Sequence, residues 1–244
     1  MFQFIETMQP DLQQMESLME REFQLRSGHV SRFVSLELDR VDKYLYPAML
    51  LLFSRMFIVG AKKSVPMACV IQFIRYATCV HSYDGKRPQY PVLIGDYLYS
   101  NFFFYLSKFQ AVDKLKPLAA SICQIHEGGI IKKEKIETGK AGNNDFVAAA
   151  EKEHGILLGE ACRIGVQLAG ELGEMQETAY AFGRNFGTAW GLLRSGFKKI
   201  SPDKYLQQAK ACTYGLPDGS ERKLLALAID DILSYYKTEK FMVG

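Results

Sequence analysis

From Pro10 onward, apolar residues recur every three or four positions along almost the whole chain. Leu12, Met15, Met19 and Phe23 share one face, and Phe33, Leu38 and Val41 carry the pattern through 30–44. That spacing lines one stripe of an α-helix, because successive side chains turn by a little over a quarter of a circle. Start and stop signals divide the pattern. Ser27-Gly28 closes the first stretch, and Pro47 begins an apolar helix that stops at Gly60. Ser64 and Pro66 mark the start of a helix through His81, Pro91 opens the next, and Asp113 caps one that runs toward Thr138. Residues 138–144 (TGKAGNN) read as a loop. Helices follow at 145–170, 173–195, 202–213 and 218–240, with PDGSE at 217–221 between the last two. No stretch alternates apolar and polar residues between hairpin turns. There is no repeat and no linker long enough to divide the chain. The pattern predicts an all-α fold, a single bundle of about ten helices in which 1–244 form one domain.

One segment departs from the one-sided pattern. Over 92–109, Phe102, Phe103 and Phe104 are consecutive and so point in different directions, and Tyr97, Tyr99, Tyr105 and Phe109 add further apolar bulk. A helix that is apolar all round avoids water on every side. It is expected either at the centre of the bundle or at a subunit interface.

Composition narrows the class. Hydrophobic residues are 48% and charged residues 23% of the 244, which excludes intrinsic disorder. A net charge of +3 is too small to indicate nucleic acid as a partner. The five cysteines, at 69, 79, 123, 162 and 212, are odd in number and include no C-x-x-C. They indicate reduced thiols in a cytoplasmic protein rather than a zinc site or disulfide framework. The first residues, MFQFIETMQPDLQQ, lack the basic and apolar regions of a signal peptide. Two apolar stretches, 46–60 and 91–107, contain Arg55 and Asp96 and fall short of the roughly 20 residues of a membrane span. No transmembrane segment is expected.

Candidate chemistry is sparse. Asp230-Asp231 are adjacent, hence on different faces, and read as solvated. Asp39 and Asp42 lie one turn apart and could share a cation, but no third ligand accompanies them. His81 and Asp84 have the same spacing, with Gly85 ending the helix between them and any further ligand. Ser82 beside His81 is no triad, and no phosphate-binding glycine loop occurs. The lysine-rich run at 131–140 reads as a solvated face. Gly128-Gly129 inside a helix costs about 1 kcal/mol per glycine relative to alanine, which points to close packing or a kink.

The order of several motifs resembles the trans-isoprenyl diphosphate synthase family over roughly 40–240. VDKYLYPAMLLLFSRMF (41–57) is similar to that family's GGKxxRPxLxLL, and CVIQFIRYATCVHS (69–82) to the helix that ends in its His-Asp-Asp. VLIGDYLYSNFFFYLS (92–107) resembles VLxGDxLxxxAFxxL, the most specific of these matches. ICQIHEGGI (122–130) is similar to the family's glycine-containing helix and EACRIGVQLAG (160–170) to its ACxxGAxxAG. FGRNFGTAWGLLRSG (182–196) resembles FGxxxGxAFQxxDDxxD, and LPDGSERKLLALAIDDIL (216–233) the closing segment.

The resemblance implies a reaction for which this chain lacks the parts. Family members hold Mg²⁺ between two DDxxD-type clusters, and the ions stabilise the departing diphosphate. Here the first cluster is replaced by Ser82-Tyr83-Asp84-Gly85 and a shortened loop, and Arg194-Ser195 stand where the second pair of aspartates is expected. Lys43 matches a diphosphate-binding lysine. Tyr46 stands at an arginine position, and Glu153-His154 beside Lys152 stand at a Lys-Thr pair. The resemblance thus implies that Lys43, His81 and Arg87 are remnants of a diphosphate site. Phe73, Ile74 and Ala77 fall in the family's length-controlling region, and Phe102, Phe103, Tyr105 and Phe109 on its interface helix.

The expected function is that of a non-catalytic subunit in a heteromeric long-chain polyprenyl diphosphate synthase. Its catalytic partner would bear both DDxxD motifs and the Mg²⁺, this chain binding no cofactor, in a heterodimer or heterotetramer serving quinone (menaquinone) side-chain synthesis. Two alternatives stay open: a homodimeric module binding a prenyl lipid or other apolar ligand, and metal-free chemistry at His81, Asp84 and Arg87.

Overall fold

The structure is a computed structural model that describes residues 2–24, 40–82, 89–170, 173–195 and 200–242. Every regular element among these residues is helical. The order is α1 (Gln3–Thr7), α2 (Gln9–Gln24), α3 (Arg40–Met56), α4 (Ala61–His81), α5 (Gln89–Lys108), α6 (Leu115–Ile131), α7 (Asn143–Ala150), α8 (Ile156–Gln167), α9 (Gly173–Arg194), α10 (Asp203–Thr213) and α11 (Ser220–Met242). A π-helical turn, Glu151–Gly155, joins α7 to α8 without a break, so the eleven segments form ten rods. A second π turn, Lys132–Ile136, extends α6. The all-α bundle is the predicted class. Ser27, Gly28, Phe33, Leu38, Asp39, Asp84, Gly85 and Arg87 lie outside the described residues.

The central rod is α4, not the segment that is apolar all round. Every residue of α4 from Ser64 to Thr78 is buried, ringed by α2, α3, α5, α6 and α8. Helix α5 covers α4 on one side only. Its Leu98, Phe102, Tyr105 and Leu106 are buried, and Phe73 of α4 meets Tyr105 edge-on at 5.1 Å. The other face of α5 leaves Leu93 66%, Phe103 52% and Phe104 42% exposed. Of the two positions expected for this helix, the centre of the bundle is therefore not the one α5 takes. An apolar circumference shows that both faces avoid water but not which of them this chain covers.

Several helix starts also differ from the punctuation: α5 begins at Gln89 rather than Pro91, and Asp113 lies within a 3-10 turn, Val112–Lys114, instead of capping α6. Pro47 lies within α3 rather than opening it, and α4 begins at Ala61, before Ser64 and Pro66. Pro47 is the eighth residue of α3 and Pro66 the sixth of α4, so each omits one backbone N–H bond within its helix, and the turn before Pro47 is held by the buried Tyr44, Leu45 and Tyr46. Asp231 is not simply solvated either. Its Oδ2 accepts the Phe4 backbone N–H at 3.0 Å, holding the start of α1 on α11.

Helices α8 and α9 cross at close range because Gly183, Gly187 and Gly191 recur every fourth residue along α9. A Cβ on Gly183 would lie 2.5 Å from the Leu158 carbonyl oxygen, and one on Gly187 2.7 Å from that of His154. One on Gly191 would meet the His154 ring at 2.8 Å. The glycine row thus brings the C-terminal end of α9, with Trp190 and Arg194, up to the π turn that carries His154.

Candidate functional site

The polar centre of the bundle forms where α3, α4 and α9 meet. Asp42, in the first turn of α3, is 5% exposed. Its Oδ1 accepts the Trp190 indole N–H at 2.8 Å and lies 3.7 Å from the Arg75 guanidinium, and its Oδ2 pairs with Arg194 at 3.1 Å. Arg75 rests over the Tyr46 ring, 5.0 Å from its centroid. The Tyr46 hydroxyl shares a 2.8 Å hydrogen bond with His154 Nδ1. Burial, reinforced by the charges of Arg75, Lys132 and Arg194, holds the His154 imidazole well below the usual histidine range, so the ring is neutral. Burial likewise pushes the neighbouring Glu153 carboxyl upward against the pull of Lys132 and Arg75.

The residues expected as diphosphate remnants occupy different places. Lys43 turns to α2, where its ammonium bonds Glu16 at 2.7 Å, and it also bonds the hydroxyl of the adjacent Tyr44 at 2.7 Å. Burial disfavours its charge, but these two bonds hold its pKa above the usual lysine range. His81 ends α4 and stacks on Tyr99 of α5, with centroids 5.6 Å apart and planes at 21°. Its Nε2 lies 3.5 Å from Asp96, and its ring meets His126 of α6 edge-on. Gly95 makes room for it, since a Cβ there would fall 2.2 Å from Nε2. Lys43 and His81 share no partner in these interactions. Arg87 lies outside the described residues.

Phe73, Ile74 and Ala77 are fully buried in the main hydrophobic cluster. Of the four interface candidates, Phe102 and Tyr105 face inward, Phe109 is half-buried, and Phe103 faces outward beside Phe104. Sequence reading passed over Arg75 and Trp190. A signal for Arg75 was present: it is the one charged residue in VPMACVIQFIRYATCV (65–80), and a buried arginine needs a partner. Nothing along the chain connects it to Asp42 or Trp190.

No family model matches the chain, and no curated protein sequence matches it. Its fold is that of the trans-prenyl diphosphate synthases. Solved structures sharing it include the polyprenyl synthase of Caulobacter crescentus CB15 complexed with calcium and isoprenyl diphosphate: TM-score 0.81, 17% identity, 95% of this chain and 97% of that one. The decaprenyl diphosphate synthase of Rhodobacter capsulatus aligns at TM-score 0.80 and 15% identity, over 94% and 97% of the two chains. The geranyl diphosphate synthase small subunit of Antirrhinum majus aligns at 0.74 and 14%, over 93% and 98%.

The residues at the second expected cluster do not fit the Mg²⁺ implied by the resemblance. Arg194 places a permanent cation there, and the Ser195 hydroxyl is bonded to the Leu192 carbonyl at 2.7 Å. Among the described residues, no three His, Cys, Asp or Glu side chains converge as a metal site. No described helix is long and apolar enough to cross a membrane.

Proposed function

We propose that the chain is a non-catalytic subunit of a heteromeric trans-polyprenyl diphosphate synthase, acting beside a partner that carries both aspartate clusters and the Mg²⁺. The outward apolar face of α5 carries this reading. Val92, Leu93, Phe103 and Phe104 are all exposed along one side of a helix whose other side packs on the central rod. Exposed apolar surface concentrated on one face marks an interaction site. The arginines around Asp42 support a division of labour, because they leave metal chemistry to another chain. Similarity in fold to a geranyl diphosphate synthase small subunit points the same way. In such an assembly this subunit supports the partner and helps to set product length, with Phe73, Ile74 and Ala77 as the residues to vary, for the side chain of a quinone.

The test is co-expression with a prenyl diphosphate synthase from the same source that bears both DDxxD motifs. Co-purification, and a longer product made only by the pair, is the expected result. A partner that ignores this chain and makes the same product alone would sink the proposal.

One observation favours the apolar-ligand reading as a second choice. A cavity of about 340 Å³ opens between α1, α3, α9 and α11, lined by Phe2, Ile5, Val41, Trp190 and Tyr235 with Glu6 and Arg40. Trp190 is the chain's single tryptophan. Saturable quenching of its fluorescence by farnesol, lost when Ile5→Phe fills the cavity with Trp190 retained, would support ligand binding there.

A further inference from the structure

We infer that Arg194 and Arg75 act as built-in replacements for divalent cations, and that the centre around Asp42 is a metal-independent ionic clasp joining α3, α4 and α9. Both oxygens of this nearly buried carboxylate are engaged: Oδ2 by Arg194 at 3.1 Å, Oδ1 by the Trp190 N–H at 2.8 Å, with Arg75 3.7 Å away. A Mg²⁺ ion needs near-octahedral oxygen ligands at about 2.0–2.1 Å. To reach Asp42 it would have to displace Arg194 and remain beside Arg75, and an arginine cannot shed its proton to make way.

The surrounding groups accommodate the cations rather than compete for them. Arg75 lies on the Tyr46 ring, and Arg194 lies 5.7 Å from the centroid of Trp190 at the rim, where solvent reaches 38% of its side chain. The adjacent His154 stays neutral and adds no positive charge. The three helices tied in this way differ widely in sequence position, from residue 42 to residue 194. The clasp therefore closes the interior without any bound ion or substrate. This concerns the isolated chain and stands apart from the heteromer proposal, since failure to find a partner leaves it unchanged.

Two measurements on the full chain test it. The first labels Trp190 with 5-fluorotryptophan and follows its ¹⁹F resonance during Mn²⁺ addition. Because Trp190 is almost fully buried, its resonance is expected to stay sharp at stoichiometric Mn²⁺, whereas saturable broadening there would overturn the inference. The second compares urea and thermal unfolding of Asp42→Asn, Arg194→Gln and the double variant in metal-free buffer. Asp42→Asn strands two guanidiniums and should lower Tm by on the order of 10 °C. Once Asp42 is neutral, Arg194→Gln should cost much less than it does in the unchanged chain. Strictly additive losses would show that no clasp exists. If Asp42→Asn does not fold, the ¹⁹F titration of the unchanged chain decides alone.

Discussion

His154 is neutral because burial and three nearby cations oppose its protonation. In the unfolded chain the same imidazole takes up a proton below about pH 6.5. Acid therefore favours the unfolded state: the stability that goes with the depressed pKa is present above about pH 6.5 and falls as pH drops toward the folded value. Glu153, pushed upward by burial, acts in the opposite direction in the acid range. The clean measurement is consequently the difference in unfolding free energy between the wild type and His154→Asn. That difference should shift against the wild type by up to about 1.4 kcal/mol for each pH unit below about 6.5. A constant difference between pH 7 and 5 would contradict a neutral His154.

Gly95 presents a second residue-scale test. An added methyl group would overlap the His81 ring, so Gly95→Ala should cost about 1–3 kcal/mol through overpacking. Truncating the ring removes the clash, and the double variant Gly95→Ala/His81→Ala should be more stable than the two single losses added together. Chemical denaturation of the four proteins measures this. No such rescue would mean that the Gly-Asp pair has a role other than seating His81.

At the scale of helices, the two faces of α5 should respond to mutation in opposite ways. Phe103→Glu/Phe104→Glu alters the exposed face and should change stability by less than about 1 kcal/mol while abolishing co-purification with the proposed catalytic partner. Phe102→Ala removes a fully buried ring and should cost about 3–5 kcal/mol with or without a partner. Equal losses at both faces would place the outward phenylalanines in the chain's own core. The α8–α9 crossing is less forgiving, because a Cβ on Gly183 meets backbone rather than a flexible side-chain end. Gly183→Ala should lower Tm by several degrees through a loss of about 1–3 kcal/mol, read by thermal unfolding.

For the molecule as a whole, the helical elements were readable along the chain because periodicity and caps are local. The helices expected at 173–195, 202–213 and 218–240 appear as Gly173–Arg194, Asp203–Thr213 and Ser220–Met242. The π turn at Glu151–Gly155 was not readable, since one extra residue in a turn leaves the apolar pattern nearly unchanged. The sequence by itself determined an all-α chain, the glycine spacing of α9 and the presence of Arg194 near the end of that helix. Only the tertiary structure decided that α4 rather than α5 is central, that Lys43 turns to Glu16, and that Arg75 and Arg194 close on Asp42. Helical period fixes which residues share a face, within a few turns. Which face meets which, and so where a buried charge finds its partner, depends on packing among helices more than a hundred residues apart.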